Sequence, residues 1–91
     1  MVDKVHCCHI LVKTDQEAKT VLERLGKGEK FTRIAQEVSL CPSGKRGGDL
    51  GTFGRGKMVK EFEVAAFALQ KGQTSSVVKT KFGYHIIKRL E

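Results

Sequence analysis

The sequence predicts an α+β domain with a mixed or antiparallel sheet, its elements running β-α-α-β-α-β-β, and three observations carry that expectation. A run rich in Val, Ile and Cys near the N-terminus is followed by two stripes of apolar residues at helical spacing. The chain closes on two short β-branched runs joined by Lys81-Phe82-Gly83. Between these ends lies a glycine-rich stretch from Ser39 to Phe62 that is unlike ordinary packing material. No linker or repeat interrupts the order, so residues 1–91 are expected to form one domain.

Val5 to Val12 reads as a buried strand with His9 at its middle, where a histidine is first of all a hydrogen-bonded core residue. Thr14 and Glu17 have capping-box spacing, and Ala18, Val21, Leu22 and Leu25 then recur at i, i+3, i+4 and i+7 until Gly26 and Gly28. Phe31, Ile34, Ala35 and Val38 repeat that spacing in a second, shorter helix. Asp49 to Phe53 is a short edge strand set off by Gly48 and Gly54. Phe62, Ala65, Ala66 and Leu69 form a third helical stripe from about Lys60 to Leu69, closed by Gly72, with Glu61 and Glu63 at the favourable end of the helix dipole. Val77 to Thr80 and Tyr84 to Leu90 make the final hairpin.

Composition bounds the function. A chain of 91 residues with 40% apolar content buries about 60–65% of its unfolded surface and folds without metal or disulfide staples. No apolar run approaches the ~18 residues of a membrane span, and the polar start MVDKVHCCHILVK does not read as a signal peptide, so the expected compartment is the cytoplasm. Three cysteines are then expected as free thiols. The run His6-Cys7-Cys8-His9 invites a metal, but alternate residues of a strand face opposite ways and no second ligand pair follows, so no metal is expected. The net charge of +7 is uneven: residues 1–42 carry seven cations against six acids, whereas residues 43–60 carry five against one. Such an excess keeps a protein soluble and steers it weakly towards polyanions, either nucleic acid or an anionic membrane surface.

Within the central stretch a lone Cys41 precedes the only proline, then come Lys45 and Arg46 and five glycines interleaved with Leu50, Phe53 and Met58. One reading is a surface loop with glycines at positive-φ turns. The other is a shallow apolar dish made by Leu50, Met58 and Phe62, with glycines that let a ligand's backbone come close. A phosphate cradle is excluded: Gly44-Lys45 is followed by Arg46 and preceded at the P-loop position by Ser39, and Gly54-Arg55-Gly56 lacks the third glycine of a dinucleotide fingerprint. No cofactor is expected. His85 lies in the last strand, so two histidines on separate strands, a loop cysteine and Thr80 beside the hairpin turn are the residues such a fold can bring together.

At this point the chain resembles the parvulin peptidyl-prolyl isomerases. His9-Ile-Leu-Val-Lys13, Cys41-Pro-Ser-Gly-Lys-Arg-Gly-Gly-Asp-Leu-Gly51, Phe53-Gly-Arg-Gly-Lys-Met58 with Phe62, and Phe82-Gly-Tyr-His-Ile-Ile87 match the family's blocks in order and spacing. The resemblance implies a four-stranded antiparallel sheet surrounded by helices. It also implies that His9 and His85 form a hydrogen-bonded pair beneath the substrate with Thr80 orienting one ring. Cys41 would stand beside the isomerising bond, Leu50, Met58 and Phe62 would hold the proline ring, and Phe82 would border the site. It implies non-covalent catalysis, because some parvulins resemble this chain but carry Asp at the Cys41 position and a carboxylate is a poor nucleophile there. The partners implied are proline-containing polypeptides, met by a monomer with no WW or other targeting domain to choose them.

Two departures refine this. Phospho-dependent parvulins carry a long basic loop after the first strand, whereas Thr14-Asp15-Gln16-Glu17 is short and holds two acids, so no phosphate before the proline is required. Glu61 stands where relatives often have Pro, a change that suits a first helical turn equally well. The competing function is a module that binds proline-containing segments or polyanions through the same dish and basic face, with catalysis incidental.

Overall fold

The computed structural model describes residues 3–91. Strand β1 (Lys4–Val12) is followed by α1 (Asp15–Gly26), α2 (Phe31–Val38), a 3₁₀ turn (Pro42–Arg46), β2 (Asp49–Gly54), α3 (Lys60–Ala68), β3 (Val78–Thr80) and β4 (Gly83–Arg89). All pairings are antiparallel and the strand order is β2-β1-β4-β3. The expected element order and α+β class hold, and the sheet is four-stranded and antiparallel.

The sequence of β1 explains its central place. Cys8, Ile10 and Val12 point to one face and pack with Ala18, Val21, Phe31, Ile34 and Ala35 of the α1 and α2 layer. Val5 and Cys7 point to the other and pack with Phe53, Phe62, Ala66 and Leu69 below α3. A strand buried on both faces needs an almost continuous apolar run, which Val5 to Val12 supplies. In β4, Ile86 joins the first core and Ile87 the second.

Helix α1 starts where the capping box placed it: the Glu17 N–H donates to Thr14 Oγ1 at 3.1 Å and the Thr14 N–H to Glu17 Oε1 at 3.1 Å. Helix α3 ends at Ala68, one residue short of expectation, because Leu69 turns extended to bury its side chain. The outer edge of β4 is covered by the preceding segment, in which the Ser75 N–H donates to Ile87 O at 2.7 Å and the Arg89 N–H donates to Gln73 O at 3.0 Å.

The 3₁₀ turn was not anticipated. Pro42 opens it with a fixed φ, Gly44 N–H donates to Cys41 O, and Gly47 closes it at φ +71°. The run at His6 is split as strand geometry requires: Cys7 and Cys8 are buried in opposite cores, and His6 Nε2 donates to Asp49 Oδ1 at 2.7 Å. Among the described residues no group of three or more His, Cys, Asp or Glu side chains is arranged to hold a metal ion, and no helix is long and apolar enough to cross a membrane.

Candidate active site

His9 stands opposite Ile87, and Leu11 stands opposite His85, across the β1–β4 pair. His9 and His85 are therefore diagonal neighbours on the α3 face, close enough for long side chains to meet. Their Nδ1 atoms are 3.0 Å apart, and the rings are 5.2 Å apart at 20° between planes. The Phe62 ring of α3 stands nearly perpendicular to both, its centroid 5.4 Å from that of His9 and 5.3 Å from that of His85.

Behind this pair stands Thr80 at the end of β3, its Oγ1 2.7 Å from His85 Nε2. The Phe82 N–H already donates to that Oγ1 at 3.1 Å, so the hydroxyl hydrogen is available for His85 Nε2. The His85 hydrogen then lies on Nδ1 and donates to His9 Nδ1, leaving the His9 hydrogen on Nε2. The reverse order would strand the threonine hydrogen as well as His9 Nε2, so the assignment chosen satisfies one more group. His9 Nε2 is the buried side-chain nitrogen or oxygen that has no partner among the described residues.

Burial foremost, and the neighbouring His85 second, push the His9 imidazolium down to a pKa of about 4 from 6.5. Burial also lowers His85. A positive charge in this apolar surrounding would lose its hydration with no carboxylate to compensate, so the pair is neutral at physiological pH.

Above the pair opens a pocket of about 340 Å³. His9, His85 and Phe62 line it, with Leu50 from β2, Met58 from the segment before α3, and Cys41 and Phe82. The structure thus brings together seven of the eight residues picked out in the sequence, with Thr80 one step behind through His85. Cys41 Sγ accepts from Ser43 Oγ at 3.2 Å, while His9 Nδ1 and both His85 nitrogens are engaged with each other and with Thr80.

Leu11, Leu40, Pro42 and Val59 also line the pocket and were missed. Leu11 was within reach of sequence reasoning, since it lies two residues beyond His9 and so on the same face of the strand. Leu40 is 63% exposed yet fixed, because its N–H donates to Leu11 O at 2.8 Å and Ser39 Oγ accepts the Leu11 N–H at 3.1 Å.

Of the two readings open for the glycines, Gly48 follows the positive-φ one. Instead of admitting a ligand's backbone, it admits the chain's own: Gly48 O accepts the His9 N–H at 2.9 Å, and a Cβ at Gly48 would overlap the His9 carbonyl oxygen. With φ +86° the residue takes a conformation that side chains disfavour, so glycine is needed twice over.

Residues 9–91 match the family described as Rotamase, PPIC-type PPIase domain. The chain is 56% identical over 86 residues to the foldase protein PrsA of Geobacillus kaustophilus, spanning 93% of this chain and 31% of the relative. It thus covers about a third of the length of such curated relatives. Among solved structures, Pin of the psychrophilic archaeon Cenarcheaum symbiosum (CsPin) matches with TM-score 0.86 and 60% identity, over 100% of this chain and 95% of that one. NmPin, the parvulin of Nitrosopumilus maritimus, matches with TM-score 0.89 and 49% identity, over 100% of this chain and 99% of that one.

Proposed function

This chain belongs to the family of PPIC-type peptidyl-prolyl isomerase domains, the parvulins, and on that premise we propose that it catalyses cis/trans isomerisation of Xaa–Pro bonds in unfolded or flexible polypeptides. The observation that carries the proposal is the apolar pocket of Leu50, Met58 and Phe62 set directly over a neutral, hydrogen-bonded His9–His85 floor.

Rotation about a peptide bond faces a barrier of about 18–20 kcal/mol because resonance makes the C–N bond partly double, and an Xaa–Pro bond left to itself isomerises in tens to hundreds of seconds. No bond has to break. A site that binds the twisted amide about 5 kcal/mol better than the planar forms accelerates the rotation about 10⁴-fold. Leu50, Met58 and Phe62 grip the proline ring and exclude water, so the twisting amide loses the solvent that stabilises its planar, charge-separated form. His9 and His85, locked by Thr80, give a polar floor that does not reorganise as the bond turns. Cys41 lies at the mouth beside the rotating bond and tunes its polarity without attacking it.

The substrates are unphosphorylated. The β1–α1 junction offers no basic cluster, and its Thr14 and Glu17 are consumed in capping α1. Leu40 and Phe82, 63% and 60% exposed, flank the pocket with apolar surface and suit an apolar residue before the proline. The free thiols Cys7, Cys8 and Cys41 fit a reducing cytoplasm, and the protein acts there as a monomeric general folding catalyst. Exposed Lys45, Arg46, Lys57 and Lys60 add a weak, salt-screened attraction to nucleic acid or anionic lipid.

The test is the isomerisation rate of Xaa–Pro peptides by exchange NMR or a protease-coupled assay, with Xaa as Leu, Phe, Lys, Glu and phosphoserine. Acceleration led by Leu or Phe supports the reading. A requirement for phosphoserine removes the substrate assignment, and a folded protein that accelerates none of them leaves a binding module.

A further inference from the structure

Leu50 and Met58 reach the pocket from irregular backbone on either side of the body of β2, and each irregularity is held in the same way. Between β1 and β2 the register runs from His6 opposite Thr52 to Cys8 opposite Asp49, so β2 carries one extra residue at Leu50-Gly51. This is a bulge, and Gly51 takes φ +72° within it. Asp49 Oδ1 accepts the Gly51 N–H at 2.7 Å and the His6 Nε2–H at 2.7 Å. Beyond β2, Gly56 takes φ +83° two residues before Met58, and its N–H donates to Glu63 Oε1 of α3 at 2.6 Å. Arg55 lies 3.9 Å from Glu63 Oε2 and covers the Phe67 ring at 4.2 Å, tying the same turn to the same helix.

A glycine at positive φ leaves its neighbours free to swing unless its peptide is held. A carboxylate accepting the glycine N–H in a charge-assisted bond selects one orientation. From this we propose that Asp49 and Glu63 are positioning residues, each fixing a positive-φ glycine so that Leu50 and Met58 respectively point into the proline pocket. The inference rests on the reading of that pocket as the proline site. Two separate carboxylates then fix two of the apolar residues of one pocket, although neither lines it.

The experiment compares D49A with D49N and E63A with E63Q, each alone and in L50A or M58A backgrounds, using steady-state kinetics on a Leu-Pro peptide. The amides keep the accepting oxygen, so D49N and E63Q should stay within about twofold of wild type, whereas D49A and E63A raise KM about tenfold with kcat little changed. D49A should cost nothing further once Leu50 is alanine, and E63A nothing further once Met58 is alanine. Full additivity, or an amide as harmful as the alanine in a folded protein, overturns the proposal.

Carbon-13 methyl spectra of Leu50 and Met58 read the same positions without catalysis. D49A should move the Leu50 methyls and leave Met58 in place, and E63A should do the converse; unselective shifts overturn the proposal while leaving the activity standing. An inactive wild type with selective shifts removes the isomerase reading and keeps the positioning. A D49A chain that does not fold overturns the role given to Asp49, and E63A then decides for Glu63.

Discussion

His9 and His85, separated by 76 positions in the chain, meet through nitrogen atoms 3.0 Å apart with one hydrogen between them. The contact exists because β1 and β4 are adjacent in the sheet and their register sets the two residues on one diagonal. A third hydrogen-bonding group, Thr80, closes the line at 2.7 Å, so each ring has one permitted orientation.

That neutral pair makes stability depend on pH in a defined window. In the unfolded chain a histidine takes up its proton near pH 6.5, whereas burial holds His9 neutral down to about pH 4. Between those values the unfolded state binds more protons than the folded one, so stability falls as pH falls through the window and is unaffected by His9 above it. The His9 contribution alone is about 3 kcal/mol. His85, lowered by burial, acts in the same direction. Urea unfolding at intervals from pH 7.5 to 4.5 should show this decline, and constant stability across the range would contradict it. Asp49, whose carboxyl is held low by the Gly51 N–H and then by His6, weakens the fold only as the pH drops further, below its ordinary 3.8.

Replacement of Cys41 should not abolish the proposed turnover. Its sulfur bonds Ser43 Oγ and no histidine nitrogen is paired with it, so a general base for thiolate formation is not in place. Cys41→Ser and Cys41→Asp should keep measurable isomerase activity, reduced about 10-fold or less in line with a group that only tunes polarity. Complete loss in both variants, with the fold intact by circular dichroism, would restore the covalent mechanism.

Native thiol labelling should find one cysteine of three. Cys7 is fully buried and burial pushes its thiol up to about 11, Cys8 is buried on the opposite face and also raised, and Cys41 is partly exposed and lines the pocket. Iodoacetamide followed by peptide mass spectrometry should place the adduct on Cys41 in the folded protein and on all three in urea. Rapid native labelling of Cys7 or Cys8 would mean that β1 is not packed on both faces.

Gly48→Ala should be among the most damaging single-methyl changes in the chain. The new Cβ overlaps the His9 carbonyl and sits on backbone at φ +86°. Together the two effects should cost about 2–4 kcal/mol and lower activity with stability, because the strand that shifts is the one bearing His9. Gly51→Ala, where a Cβ meets open space, should cost less. A thermal melt of both variants checks the order.

Local signals in the sequence were sufficient for most elements. Thr14 and Glu17 located the start of α1, helical spacing located α2 and α3, and runs rich in β-branched and apolar residues were enough for β1 and the terminal hairpin. The 3₁₀ turn at Pro42 escaped because a five-residue turn has no periodicity to read, and Pro-Ser-Gly fits many loops. The meeting of His9 with His85 could not be read from spacing, since it depends on which strands become neighbours and in what register; it came only with the family blocks. The second task of Gly48, close approach to the His9 backbone, was out of reach for the same reason. The sequence shows that a glycine is there, and only the opposing strand shows which backbone it makes room for.

The pairing of β1 with β4 also governs when this site can come into being. Every contact that joins the two middle strands waits for the last of the four strands to be made, so helices α1 and α2 can nucleate early while the central pairing closes the longest loop of the chain. A chain still being synthesised therefore has half of its histidine pair and no pocket floor. The pocket floor can form only once β4 has been made, and a mutation that slows closure of β4 onto β1 delays the appearance of the pocket without altering the folded domain.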